Sequence, residues 1–335
     1  MTRKKQPPLQ LAKMAKDLGL RSADDPAAAI IKYCERRIKE IIAEMDECDS
    51  LADMLEWVAN KVGTTFKTVH SDEELQKVKQ EFLENKERAF ANLDQEMSEE
   101  VFGVTYRLQN RQEWQPPFVS VIDCREGKAA RAYFTKWHEI AHLLTLTQQL
   151  RLVFRRTHSS ISGVDPEERL MDAIAGKFGF YAGVAHRFIE NEISFEEIER
   201  LRIRLCPEAS QQASQINFIK YWPSPCIYVR AELGLKRDQE EGLNQGSFDF
   251  VELPEPVLRA VRVDPNERAR EKGYMLFGNM RVPEESVIFR LFAEGGDYHE
   301  AEEDLSWWTG RQACPVKVKA RVVGEAVEAL IISLD

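Results

Sequence analysis

The sequence predicts an α+β chain in which a helix-rich N-terminal part precedes a smaller, strand-rich C-terminal part. Apolar residues recur at helical spacing through much of the first 240 residues, and short β-branched runs break that pattern near 64–70 and 101–123. The chain then ends in two alternating runs, PVKVKARVV and VEALIISL, joined as a hairpin across Gly324-Glu325. With 335 residues, 43% of them hydrophobic, there is material for two or three modest cores. A net charge of −10 argues against a surface that grips nucleic acid or anionic lipid as a whole.

The elements follow in order. Residues 1–20 read as a flexible tail, and the opening MTRKKQPPLQ lacks the apolar stretch of a secretory signal. No apolar run of about 18 residues occurs, so a cytoplasmic protein without membrane contact is expected. Asp25-Pro26 offers an N-cap with proline at the first helical position, and Ile30, Ile31, Cys34, Ile38, Ile41 and Ile42 keep the helical period after it. SLADMLEWVANKV predicts a second helix stopped by Gly63, TTFKTVH a strand, and the charged stretch from Asp72 to Met97 a helix. VFGVTYRL and PFVSVID read as strands around the polar loop QNRQEWQPP, and an edge strand beside a cleft can hold an extended peptide by main-chain pairing. GKAARAYFTKW then enters a helix, QQLRLVFRRTHSSISGV connects, and Asp165-Pro166-Glu167-Glu168 opens another helix.

From about 194 to 237 the reading is helical, ending in SPCIYVRAELGLKR; beyond it a boundary is expected near 238–250. GYMLFG and SVIFRLFA are read as further strands of the C-terminal part. The expected division is therefore a tail (1–20), a first domain (21–190), a helical segment (191–240) and a C-terminal α/β domain (250–335), with no internal repeat. Cys34, Cys48, Cys124, Cys206, Cys226 and Cys314 are scattered without C-x-x-C spacing, so reduced, partly buried thiols are expected instead of a zinc knuckle or disulfide scaffold.

The chemistry concentrates in WHEIAHLL, Trp137 to Leu144. Helical positions four apart differ by about 40° of rotation and one turn of rise, so His138 and His142 can face one ion. Glu139 lies about 100° round from His138, beside such an ion and outside its ligand set, where a carboxylate can take a proton from an activated water. The plainer reading is an amphipathic helix whose core face is Trp137, Ile140, Ala141 and Leu144. A catalytic zinc needs a third protein ligand, and the candidates are His158, Asp165, Glu167, Glu168 and Asp172. Glu168 is preferred because Asp172 follows it by one turn, where its carboxylate can hold the other ring nitrogen of a ligand histidine. A rival use of Glu168 is as the N3 partner of Asp165 in a capping box, and Glu167 is then the alternative ligand.

RAYFTKWHEIAHLL followed by EERLMDAIAGKFG resembles the ImmA/IrrE family of bacterial zinc metallopeptidases. Arg131, Phe134, Thr135, His138, Glu139 and His142 match the first family segment, and Glu168, Asp172 and Ala175 the second. Met171 and Ile174 stand where the family often has alanine and phenylalanine, and GFYAG replaces an LLMP-like end. The resemblance implies a zincin-like N-terminal domain, a helix-turn-helix-like segment after it, and a C-terminal domain that is GAF-like in some members. It implies one zinc per chain and a cytoplasmic endopeptidase that cleaves a partner regulator, commonly a helix-turn-helix repressor, to switch on a stress or mobile-element response.

Further expectations carry less pattern. A second donor to the oxyanion is sought among Tyr181, His158 and His186, none selected by spacing. The alternative class is a zinc-containing scaffold that binds a repressor or DNA without proteolysis, resting on the basic stretch Arg200 to Arg204 and on the LGLKR end at Arg237. His299, Trp307 and Trp308 are candidates to line a ligand pocket in the C-terminal part, where core packing is the plainer use of aromatic residues.

Overall fold

The structure, a computed structural model, describes residues 8–20, 24–45, 47–146, 153–157 (backbone only), 165–236 and 255–334. The chain is α+β and folds as two compact units, one of residues 1–188 with 200–214 and one of residues 189–199 with 215–335. No helix among the described residues is long and apolar enough to cross a membrane.

In the first unit, helices α1 (Leu9–Asp17), α2 (Pro26–Ile42) and α3 (Leu51–Val62) precede strand β1 (Thr64–Val69). Helix α1 lies where a flexible tail was expected; Leu11 and Ala15, four apart, are buried, and the helix packs against α2 and the later helix at 166–179. Short length hid that pattern in the sequence. Asp25 caps α2 as expected, accepting from the Ala28 amide at 3.1 Å. Gly63 ends α3 at φ +83, and a Cβ there would also lie 2.8 Å from Pro117, so the entry to β1 requires glycine twice over.

The expected helix over 72–97 is interrupted. Helix α4 (Asp72–Glu84) stops at a turn through Lys86, at φ +64, before a 3₁₀ turn (Arg88–Asn92) and the short α5 (Leu93–Glu96). Strands β2 (Val101–Arg107) and β3 (Phe118–Asp123) are antiparallel, and β1 runs parallel to β3. Strand β4 (Val153–Thr157), in what was read as a connection, pairs antiparallel to β2 and gives the order β1-β3-β2-β4. Thus β2 and β3 are interior, and the edges are β1 and β4.

Sheet pleating divides the strands into two faces. Val104, Tyr106, Val119, Val121 and Val69 join Leu75, Phe82 and Phe90 of the α4 region in one apolar cluster. The residues between them, Gly103, Thr105, Ser120, Ile122, Thr64 and Phe66, lie on the other face, toward helix α6 (Ala132–Leu144), which follows a 3₁₀ turn (Lys128–Arg131). Asp123, with a fully buried side chain, ties this entry together by pairing with Arg125 at 2.9 Å and Lys128 at 2.8 Å. Burial opposes its ionisation, but the two cations outweigh burial and hold its carboxyl below the usual range. Helix α7 (Pro166–Gly179) packs along α6.

The second unit is a six-stranded antiparallel sheet, and its make-up corrects three expectations. CIYVRAELG, read as the end of a helical segment, is strand β5 (Cys226–Gly234). Helices α9 (Phe195–Leu205) and α10 (Gln211–Lys220) precede it and follow the short α8 (Ala182–Ala185). Strand β5 sits in the middle of the order β7-β6-β5-β10-β9-β8, with β6 (Val257–Pro265), β7 (Met280–Arg281), β8 (Tyr298–Asp304), β9 (Pro315–Val323) and β10 (Ala326–Ser333).

GYMLFG is irregular, and only Met280–Arg281 just after it pairs as a strand. SVIFRLFA is helix α12 (Val287–Glu294), which follows the short α11 (Glu267–Glu271). Ser286 caps α12, and Val287, Ile288 and Leu291 are buried at helical spacing against Ile227, Val229, Val318 and Ile331 of the sheet. The β9–β10 hairpin turns at Gly324, φ +65, as expected. Five of the six cysteines are buried, Cys314 is half-buried, and all are free thiols.

Candidate metal centre

Helix α6 is buried along almost its whole length, and His138, Glu139 and His142 are 1%, 0% and 3% exposed. The helix can be buried on all sides because the hydroxyl-bearing face of the first sheet lies on one side and α7 on another. Thr135 closes its first turn, donating to the Arg131 carbonyl at 3.0 Å, and the Arg131 guanidinium lies 4.7 Å from the ring centre of Phe102. The residues heading the sequence motif thus shape the entry of the helix.

His138 and His142 point their Nε2 atoms at each other from consecutive turns, 3.2 Å apart. Glu168, in the first turn of α7, brings Oε2 to 3.1 Å from His138 Nε2 and Oε1 to 3.5 Å from His142 Nε2. Capping does not compete for that carboxylate. Asp165 caps α7 through its own side chain, accepting from the Glu167 amide at 2.9 Å, while both Glu168 oxygens face the histidines. Burial works against ionised Glu168, but when the rings of His138 and His142 are protonated their N–H groups and charge outweigh it and hold its carboxyl well below the usual carboxylate range. Asp172, one turn on, accepts the Nδ1 proton of His138 at 2.9 Å.

That last bond decides what His138 offers. A neutral imidazole has one N–H and one lone pair, so committing Nδ1–H to Asp172 leaves a lone pair on Nε2. Lone-pair-bearing atoms of His138, His142 and Glu168 then lie within 4.8 Å of one another, largely out of water. Only a positive charge relieves such a convergence. The group can hold a metal ion, and the three residues are those the sequence pattern singled out.

Glu139 leaves the same helix in another direction. Its Oε2 accepts from Thr105 Oγ1 of β2 at 2.7 Å, and its Oε1 is buried without a hydrogen-bond partner among the described residues. Gly103 makes room for it, since a Cβ there would lie 3.1 Å from Oε1 and 2.7 Å from Thr135 Cγ2. Gly103→Ala is expected to push both side chains aside, lowering thermal stability by about 1–3 kcal/mol. A variant that melts like the wild type would show that Thr135 yields freely.

Of the oxyanion candidates, Tyr181 and His186 do not join this group. Tyr181 follows the C-terminal end of α7, whereas Glu168 is in its first turn, about 16 Å earlier at 1.5 Å per residue. There Tyr181 neighbours Phe178 of α7 and Lys39 and Glu35 of α2. His186 is exposed in the 3₁₀ turn His186–Phe188 beyond it, and His158 lies outside the described residues. Sequence reasoning missed Thr105 and Gly103, whose role depends on strand register.

The basic stretch is engaged internally. Arg200 donates to the Phe188 carbonyl at 2.6 Å, Arg202 to that of Pro207 at 2.9 Å, and Arg204 stacks 4.6 Å from the Phe188 ring; Arg237 lies outside the described residues. In the second unit a cavity of about 900 Å³ is lined by Arg230, Leu233, Leu291, Phe292 and the hairpin 322–327. None of His299, Trp307 and Trp308 lines it, and Trp308 belongs to the apolar core. Comparison with protein-family models and with curated proteins yields no match, so the geometry of this chain carries the functional reading.

Proposed function

We propose that the chain is a zinc-dependent endopeptidase of ImmA/IrrE type, acting in the cytoplasm on a helix-turn-helix repressor to release a stress or mobile-element response. The observation that carries this reading is the convergence of His138, His142 and Glu168, on a helix that also carries Glu139, a buried carboxylate whose Oε1 has no hydrogen-bond partner among the described residues. Ligands about 2.0–2.2 Å from a tetrahedral ion lie roughly 3.3–3.6 Å from one another. His138 Nε2 lies 3.2 Å from His142 Nε2 and 3.1 Å from Glu168 Oε2, close to that range, and it is the other Glu168 oxygen, Oε1, that lies 3.5 Å from His142 Nε2.

Bound there, zinc supplies a Lewis acid that polarises a peptide carbonyl and makes a water more acidic. Asp172 fixes the tautomer of His138, keeping its Nε2 lone pair toward the centre. Glu139 takes the proton of the attacking water at Oε1 and returns it to the leaving amine. The edge strand β4, paired to β2, has no strand on its outer side among the described residues and could pair there with an extended substrate segment. The non-proteolytic scaffold has less support, because its helix-turn-helix-like end is strand β5 and its arginines are held by Phe188 and Pro207.

Protein purified without added metal is expected to carry about one zinc per chain. Incubated with repressors encoded beside its gene, it should cut one of them at a single position, seen as two fragments by mass spectrometry and prevented by a chelator. Zinc-loaded protein that binds such a repressor and leaves it intact would overturn the peptidase reading in favour of the scaffold.

A further inference from the structure

Glu139 stands at the end of a line of buried hydroxyls that crosses three strands. Thr105 Oγ1 of β2 is 2.7 Å from Glu139 Oε2 and 2.6 Å from Ser120 Oγ of β3, and Ser120 Oγ is 3.1 Å from Thr64 Oγ1 of β1. Thr105 and Ser120 are direct cross-strand partners, and all three hydroxyl residues are 0–1% exposed. On the opposite face the same strands are apolar, with Val104, Val119 and Val121. Valine has the shape of threonine and would pack at 105 without a polar atom to satisfy. The hydroxyls therefore answer to the carboxylate and not to packing.

The proton count fixes their direction. Each hydroxyl has one proton, and a carboxylate oxygen only accepts, so Thr105 donates to Glu139. Its proton thus committed, Thr105 accepts from Ser120, and Ser120 in turn accepts from Thr64, whose hydroxyl also lies 3.4 Å from the Thr65 carbonyl. Three dipoles in line reinforce one another and fall on one oxygen, Oε2. Glu139 Oε1 receives no such bond among the described residues. The terminal torsion of a glutamate is broad, so an external donor is what selects one orientation of the carboxylate.

We propose that Thr105, oriented by Ser120 and Thr64, is the positioning residue that fixes the Glu139 carboxylate and leaves Oε1 as the one oxygen open to a proton. The catalytic consequence rests on the peptidase reading above; the positioning itself does not. A difference infrared spectrum of wild type minus Glu139→Gln isolates the bands of this carboxylate, and its antisymmetric stretch responds to the donor on Oε2. Thr105→Val should shift and broaden that band, Thr105→Ser should restore it, and zinc content should stay unchanged in both. Ser120→Ala, which spares the direct donor, should shift it less in the same direction and covers the case in which Thr105→Val does not fold. On the repressor that the wild type cleaves, Thr105→Val should lower kcat by about 10- to 100-fold with KM unchanged. Carboxylate bands that stay in place in both Thr105→Val and Ser120→Ala would overturn the proposal whether or not the protein cleaves anything. A wild type that cleaves nothing while the bands shift would count against the peptidase reading and leave the positioning role standing.

Discussion

Glu139→Gln is expected to keep its metal and its melting temperature while losing peptide-bond hydrolysis by about 100- to 10,000-fold. The site makes this substitution unusually clean. Glutamine has the shape of glutamate, and Thr105 donates to whatever atom occupies the Oε2 position, so the amide is drawn into one orientation with its oxygen on Thr105. Its NH₂ group then stands where Oε1 stood, in the space that Gly103 leaves open. An amide nitrogen cannot accept a proton, so the loss falls on kcat and spares the metal, which Glu139 does not touch. Metal analysis and turnover of the cleaved repressor check this together. Cleavage at the wild-type rate would remove Glu139 from its proposed role and leave the metal group without a base.

Local sequence carries only part of this site. His138, His142 and Glu139 are separated by helical arithmetic, so their spacing alone placed them correctly on one helix. Glu168 and Asp172 are one turn apart on a helix opened by Asp165-Pro166, a spacing that left capping and Glu167 open as alternatives, and in the structure Glu168 reaches the histidines while Asp172 reaches His138 Nδ1. Thr105, Ser120 and Thr64 are 15 and 56 residues apart in their bonded pairs, and what joins them is the register of β2, β3 and β1. No local period encodes a register, so the partners of Glu139 became visible only with the fold.

The errors in the fold have an equally specific cause. SVIFRLFA and CIYVRAELG are both short apolar runs rich in β-branched and aromatic residues, and one is helix α12 while the other is strand β5. Eight or nine residues are too few for periodicity to separate the two states, and here the neighbours decide. Ser286 gives α12 an N-cap, whereas β5 finds pairing partners on both sides, β6 and β10. Strand β4 illustrates the opposite failure, since it is the edge of its sheet and takes its state from β2 alone.

Glu168→Ala should lose the metal, and Glu167→Ala should keep it. The two glutamates are neighbours in the first turn of α7, and the field of the helix N-terminus acts on both, so that field cannot distinguish them. Direction does: Glu168 reaches both histidines, while the part of Glu167 in the cap is its main-chain amide, which alanine retains. Without Glu168, two imidazoles remain, fewer than the three protein ligands of a catalytic zinc site. Stoichiometry after dialysis should therefore fall from about one zinc per chain to a small fraction of that. The same loss is readable in stability, because an ion bound only by the folded state raises its stability by about 2.7 kcal/mol at a free concentration 100 times its Kd. Zinc should raise the melting temperature of the wild type and of Glu167→Ala, but not that of Glu168→Ala. Asp172→Asn belongs between them, with affinity reduced about 10- to 100-fold, since it frees the tautomer of His138 without removing a ligand. Metal loss from Glu167→Ala with retention in Glu168→Ala would transfer the third ligand to Glu167 and refute the geometry on which the centre is built.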